Sequence, residues 1–121
     1  MLKSQHVFAE LYAIVNNAGI GGPFGPPEWM RIADYRRTAD VNLYGLIDVT
    51  MTFLPLIKKS RGRVVNMASI AGRISGFGLY TYSVSKYGVQ AFNEGLRYVW
   101  TSETFINHSI KQSTNVRFSA L

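Results

Sequence analysis

Hydrophobic positions divide the chain into short continuous runs and long periodic ones. Leu11, Tyr12, Ala13, Ile14 and Val15 form an unbroken apolar run that ends at Asn16-Asn17-Ala18-Gly19. A short run closed by turn residues predicts a strand buried on both faces, as in a parallel sheet. Residues 64–68 (Val-Val-Asn-Met-Ala) repeat the pattern and end at Ser69, so a second strand is expected there, parallel to the first. Between them, residues 19–27 hold three prolines and four glycines and must be a loop. Helix is predicted over 28–32, and a longer one over 34–58, in which the apolar residues of 43–57 cover nearly the whole circumference. Such a helix needs burial on two sides, one against a sheet and one against a partner. Pro55 should bend or shorten its last turn. Gly45 weakens it by about 1 kcal/mol relative to Ala, which suits a close-packed position. After a glycine-containing loop over 69–79, helical spacing resumes at Tyr82, Val84, Tyr87, Val89, Phe92, Leu96 and Val99. Strand, helix, strand, helix makes a right-handed β-α-β unit with one further helix. Residues 1–10 are unpatterned and 101–121 read as an irregular tail, which leaves 11–100 as the folded domain.

Composition narrows the function classes. The chain has 121 residues, 47% hydrophobic and 17% charged, which fits one modest globular domain. Cysteine is absent, so disulfides and thiolate metal sites are excluded, and His6 and His108 alone make no metal centre. The net charge of +6 fits an anionic cofactor better than nucleic acid. The densest basic run, Lys58-Lys59-Ser60-Arg61-Gly62-Arg63, falls where a helix should end and complements its dipole. No signal peptide is visible, and no run of eighteen apolar residues is long enough to span a bilayer.

Candidate chemistry lies between residues 64 and 86. Tyr82 and Lys86 are spaced i, i+4 and share a helix face. A phenol titrates near pH 10, and a nearby ammonium favours its ionised form. Such a pair can pass a proton to or from an alcohol oxygen. Ser69 ends a strand at the edge where open α/β sheets place ligands, and its hydroxyl can hold a substrate oxygen. Taken singly, each residue has a plainer reading: a solvated Tyr–Lys helix face, a capping serine, a helix-kink Asn42. A hydrolase serine is disfavoured, because no G-x-S-x-G elbow surrounds Ser69. The glycines at 19, 21 and 25 follow a strand but cannot form a dinucleotide-binding turn, since Pro23, Pro26 and Pro27 prevent a helix from opening there.

Together these residues resemble the short-chain dehydrogenase/reductase family. The resemblance rests on Asn16-Asn17-Ala18-Gly19 after a strand, Asn42 in Val41-Asn42-Leu43-Tyr44-Gly45, Ser69 after Asn66-Met67-Ala68, and Tyr82-x-x-x-Lys86. It runs over residues 11–97. Gly-Pro-Pro-Glu-Trp at 25–29, Asp-Val-Asn-Leu-Tyr-Gly-Leu-Ile-Asp-Val-Thr at 40–50, Leu-Pro-Leu-Ile-Lys-Lys-Ser-Arg-Gly-Arg-Val-Val-Asn at 54–66 and Ser-Lys-Tyr-Gly-Val-Gln-Ala-Phe at 85–92 are similar to the retinol and 17β-hydroxysteroid dehydrogenase branch.

The resemblance implies a partial Rossmann-like, doubly wound parallel sheet of α/β class, of which the central β-α-β-α portion is expected here as a truncated chain. It implies hydride exchange between NAD or NADP and a lipophilic alcohol or ketone. By the family pattern Tyr82 is the general acid/base, Lys86 lowers its pKa and binds the nicotinamide ribose, and Ser69 orients the substrate. Asn42 holds a relay water, and Asn16, Asn17, Ala18 and Gly19 brace the sheet and line the cofactor cleft. A homodimer through the 34–58 and 81–100 helices is implied, with cytoplasmic or endoplasmic-reticulum-associated residence. The family's first β-α-β segment, with its glycine loop and cofactor-selecting residue, is not recognisable before Leu11. The strand at 11–15 is therefore expected to keep an unpaired edge. A catalytically inactive remnant that retains only the dimer-forming helices is the alternative expectation.

Overall fold

The computed structural model describes residues 11–100 and 108–112, the last three residues of the first span and all of the second by their backbone only. The expectations for residues 1–10, and for most of 101–121, lie outside it. The elements run β1 (Ala13–Asn16), a 3-10 turn (Pro27–Trp29), α1 (Ile32–Ala39), a π-helical turn (Asp40–Tyr44), α2 (Gly45–Lys59), β2 (Arg63–Ser69), a second 3-10 turn (Ile70–Gly72), α3 (Tyr80–Trp100) and β3 (His108–Gln112). The strands form one parallel sheet in the order β1-β2-β3, with Ala13 beside Arg63 and Val65 beside His108. This is the α/β Rossmann-like architecture expected, including the parallel pairing of the first two strands.

Several local expectations change. The helix read at 28–32 is only the 3-10 turn at Pro27–Trp29, because Pro26 enters it and Met30 leaves it extended, and α1 starts afterwards. Asp34 closes the start of α1 by accepting from the Arg31 N–H at 2.9 Å. The 34–58 helix is continuous from Ile32 to Lys59 but contains the π turn, which periodicity alone does not reveal. Pro55 lies within α2, which still continues to Lys59. A Cβ on Gly45 would stand 3.2 Å from the Asp40 carbonyl, so the close neighbour is the helix's own widened turn. At 28 residues this helix is long and apolar enough, by length and composition, to cross a membrane. The irregular tail expected after residue 100 includes β3, which pairs with the outer edge of β2.

β1 is not buried on both faces. Ile14 is buried, whereas Ala13 and Val15 point to solvent, Val15 at 62% exposure. Right-handed crossovers between sequential neighbours put α2 and α3 on the same face of the sheet, and β1 is at the edge of the described strands. Central β2 is buried almost throughout. On the helix-covered face lie two apolar clusters: Ile14, Ile57, Val64 and Leu96 in one, Leu46, Ala68 and Val89 in the other, with Phe92 packed against both. A polar layer accompanies them. Asn16 and Asn66 are register partners, and Asn16 Nδ2 donates to Asn66 Oδ1 at 2.7 Å and to Thr50 Oγ1 at 2.9 Å. Asn66 Nδ2 donates in turn to Asn93 Oδ1 at 2.6 Å.

Candidate active site at the C-terminal edge of the sheet

β2 delivers Ser69 as its last residue, at the carboxyl end of the sheet. The Ser69 side chain caps the turn that follows, its Oγ accepting from the Ala71 N–H at 3.2 Å. That leaves the hydroxyl proton to donate elsewhere. The turn packs directly on α3: a Cβ on Gly72 would meet the Lys86 carbonyl oxygen at 2.6 Å. Only glycine permits that approach of backbone to backbone, and it fixes the serine-bearing turn against the helix carrying the lysine.

α3 begins at Tyr80, so Tyr82 lies in its first turn and Lys86 one turn later. The ammonium sits 5.7 Å from the centroid of the Tyr82 ring. Lys86 is only 5% exposed, and its Nζ donates to the Met67 carbonyl on β2 at 2.7 Å. Burial pulls its pKa below the ordinary lysine value of 10.5. Among the described residues no carboxylate pairs with it, and the Met67 bond uses one of its three N–H donors.

Asn42 occupies the middle of the π turn and is fully buried. Its Oδ1 accepts from the Ile20 N–H at 2.7 Å, and its Nδ2 donates to the Ile20 carbonyl at 2.9 Å and to Ser85 Oγ at 3.0 Å. Ser85 Oγ donates onward to the Tyr82 carbonyl at 2.7 Å. Both amide hydrogens are thus committed. A relay water on this residue would need the second lone pair of Oδ1 or the main-chain carbonyl.

The loop after β1 comes to the same place. A Cβ on Gly19 would lie 3.5 Å from Asn42 Oδ1 and 3.9 Å from Lys86 Nζ. Asn17, Ala18 and Gly19 are exposed there, whereas Asn16 turns inward to the polar layer. Gly19, Asn42, Tyr82 and Lys86 therefore belong to one neighbourhood, and Gly72 couples Ser69's turn to it. An ammonium with donors beyond its Met67 bond, beside backbone that carries no side chain, can hold a ligand's hydroxyl oxygen. Sequence reasoning did not single out Ile20, Met67, Gly72 or Ser85. Ile20 and Met67 contribute backbone groups, which leave no residue-type signal. Ser85 and Gly72 had one, by adjacency to Lys86 and to the Ser69 loop.

A β-α-β fold with a strand-end serine at its C-terminal edge, and with a tyrosine–lysine pair on the helix packed against the serine's turn, defines a Rossmann-like class of protein. The family described as short chain dehydrogenase matches residues 2–110, beyond the 11–97 stretch that carries the motifs. The chain belongs to the short-chain dehydrogenase family. Mouse "Short-chain dehydrogenase/reductase family 9C member 7" is 56% identical over 87 residues, covering 72% of this chain and 28% of that protein. Mouse "Retinol dehydrogenase 16" is 55% identical over 87 residues, covering 72% of this chain and 27% of that protein. The chain thus spans between a quarter and a third of the length of these relatives. Among solved structures, an NAD+-bound xylitol dehydrogenase superposes with a TM-score of 0.79 at 26% identity, over 86% of this chain and 40% of that one.

Proposed function

We propose that this chain carries the catalytic half of a nicotinamide-dependent dehydrogenase that acts on a lipophilic alcohol or ketone. Tyr82 exchanges the proton with the substrate oxygen, and Ser69 donates a hydrogen bond to that oxygen. Lys86 holds the nicotinamide ribose and favours the ionised phenol. Asn42 fixes the loop after β1 against the turn of α3 that bears Tyr82. Asn17, Ala18 and Gly19 border the cofactor, with Asn16 anchoring their turn. The nicotinamide, NAD or NADP, supplies or takes the hydride when bound. The observation that carries the reading is Lys86: a buried ammonium, with no carboxylate partner among the described residues, beside the Tyr82 ring and tied to the strand that ends in Ser69. Likeness to proteins named retinol dehydrogenase favours a retinoid substrate, and a steroid is the alternative that the motif resemblance offers.

Thermal-shift titrations with NAD(H) and NADP(H) test the cofactor. A bound nicotinamide raises the midpoint with concentration, by about 2.7 kcal/mol of stabilisation at a hundredfold excess over Kd. Tyr82→Phe should keep that shift and lose turnover of retinol. Turnover that survives in Tyr82→Phe would remove the phenol from the reaction. A chain stabilised by neither cofactor, yet still self-associating, would match the inactive, dimer-forming alternative.

A further inference from the structure

We propose that Phe24 and Phe77 form an apolar ledge that holds the hydrocarbon part of the alcohol substrate and selects long lipophilic alcohols over short ones. The assignment rests on the dehydrogenase reading above and adds the residues that discriminate substrates.

Placement is the first argument. Phe24 lies in the loop that leaves β1 and Phe77 in the loop that leaves β2, both at the sheet edge that carries Ser69. Phe77 comes shortly before α3, whose first turn bears Tyr82. Two segments far apart in sequence thus bring one aromatic ring each to the loops of that edge, one of them shortly before Tyr82 in the chain.

The second argument is how the rings are held. Their centroids are 6.3 Å apart and their planes cross at 81°, an edge-to-face pair. Gly78 has φ +78, and a Cβ there would lie 2.7 Å from the Phe24 ring, so that ring rests on a backbone position suited to glycine. The neighbouring Gly25, at φ +152, receives the ring of Trp29 in the same way. These aromatics are seated by the loops and are not scattered surface residues.

The third argument is what remains uncovered. Phe24 is 67% exposed, Phe77 70% and Trp29 72%. A pair that existed only to join two loops would bury most of its area, since removal of apolar ring surface from water is what makes such a contact favourable. Here the larger part of each residue is left exposed at the carboxyl edge of the sheet. A flexible hydrocarbon chain or ring system extending from a carbinol carbon near Tyr82 is the occupant that such a surface fits. A short alcohol held at Ser69 would not reach it.

The test uses the full chain and all-trans-retinol as probe, read by energy transfer from tryptophan to bound retinol and by direct retinol fluorescence. Wild type should bind saturably. Phe24→Ala/Phe77→Ala should raise Kd about tenfold, the loss expected when roughly half of one Phe-sized burial is removed. Phe24→Leu/Phe77→Leu should stay within about threefold of wild type, because the apolar area is largely kept. Trp29→Phe should diminish the energy transfer while direct fluorescence reports the same Kd. Absence of saturable binding by the wild type, or an unchanged Kd in the double Ala variant, overturns the ledge. Co-sedimentation with phosphatidylcholine vesicles is measured in parallel. Loss of vesicle binding with retinol affinity intact overturns the assignment in favour of a membrane-facing rim. The dehydrogenase reading is judged separately by the nicotinamide thermal shift. Retinol binding that depends on both phenylalanines, in a chain that no nicotinamide stabilises, refutes the enzyme reading alone.

Discussion

Lys86 is a charge held out of water by one carbonyl and one aromatic ring. Desolvation lowers its pKa from 10.5 even though the Met67 bond favours the ammonium, so burial outweighs that hydrogen bond. The sign of the consequence is fixed. Between the lowered folded value and 10.5 the unfolded chain binds more protons than the native one. Lys86 therefore adds stability as pH rises through that window, and the contribution is lost as pH falls through the folded value. Replacing it with an uncharged side chain of similar reach isolates the effect from the other titrating groups. Lys86→Met should be more stable than wild type at neutral pH by denaturant unfolding, and the gap should close as pH approaches 10.5. A gap independent of pH would mean that the ammonium is solvated in the native state. In the dehydrogenase reading this latent instability has a use: a cofactor hydroxyl that accepts from Lys86 would add a second partner beside the Met67 carbonyl.

Elements were legible in the sequence to the degree that local pattern determined them. The apolar run at 64–68 and the helical spacing from Tyr82 to Val99 translate directly into β2 and α3. The π turn at Asp40–Tyr44 was not readable, because it inserts no characteristic residue. What it positions is Asn42, whose amide bonds both backbone groups of Ile20. β3 was hidden for a different reason. Its sequence, His-Ser-Ile-Lys-Gln, has little strand pattern of its own, and pairing is imposed by the open edge of β2. The polar layer belongs to this scale too, since it links β1, β2, α2 and α3 through side chains that look unremarkable one at a time. Asn66 is its hub, fully buried, accepting from Asn16 and donating to Asn93. Asn66→Ala should lower unfolding free energy by about 1–3 kcal/mol, because it removes both bonds and takes the Asn66 donor from the buried Asn93 amide oxygen, whereas Asn16 keeps Thr50. Chemical denaturation measures this. A loss below about 0.5 kcal/mol would mean that water already satisfies those neighbours.

At the scale of the molecule, sequential parallel strands place α2 and α3 on one side of the sheet, and α2 is wider in its apolar surface than the sheet can cover. Leu46, Thr50 and Ile57 face inward. Val49, Phe53 and Leu56, at i, i+4 and i+7, form an exposed stripe on another side of the same helix, and Val84 and Tyr87 are exposed on α3. An amphipathic helix needs only one apolar stripe to join its own core. The surplus that made residues 43–57 look apolar all round is thus resolved into two surfaces, one filled by the sheet and one open. A second copy presenting the same stripe would cover it through an isologous contact, in which a single substitution acts twice. The homodimer expected from the helices is the proposal this surface supports. Sedimentation equilibrium should give twice the chain mass for the wild type and the chain mass for Phe53→Glu. Far-UV circular dichroism should be unchanged, because Phe53 is outside both described core clusters. Each dimer would then lose two apolar contacts and acquire two charges facing each other across the axis, so dissociation should be weakest at high salt, where repulsion is screened but burial is not restored. A wild type that sediments as a monomer at micromolar concentration would refute the homodimer and leave the stripe for a surface other than its own copy.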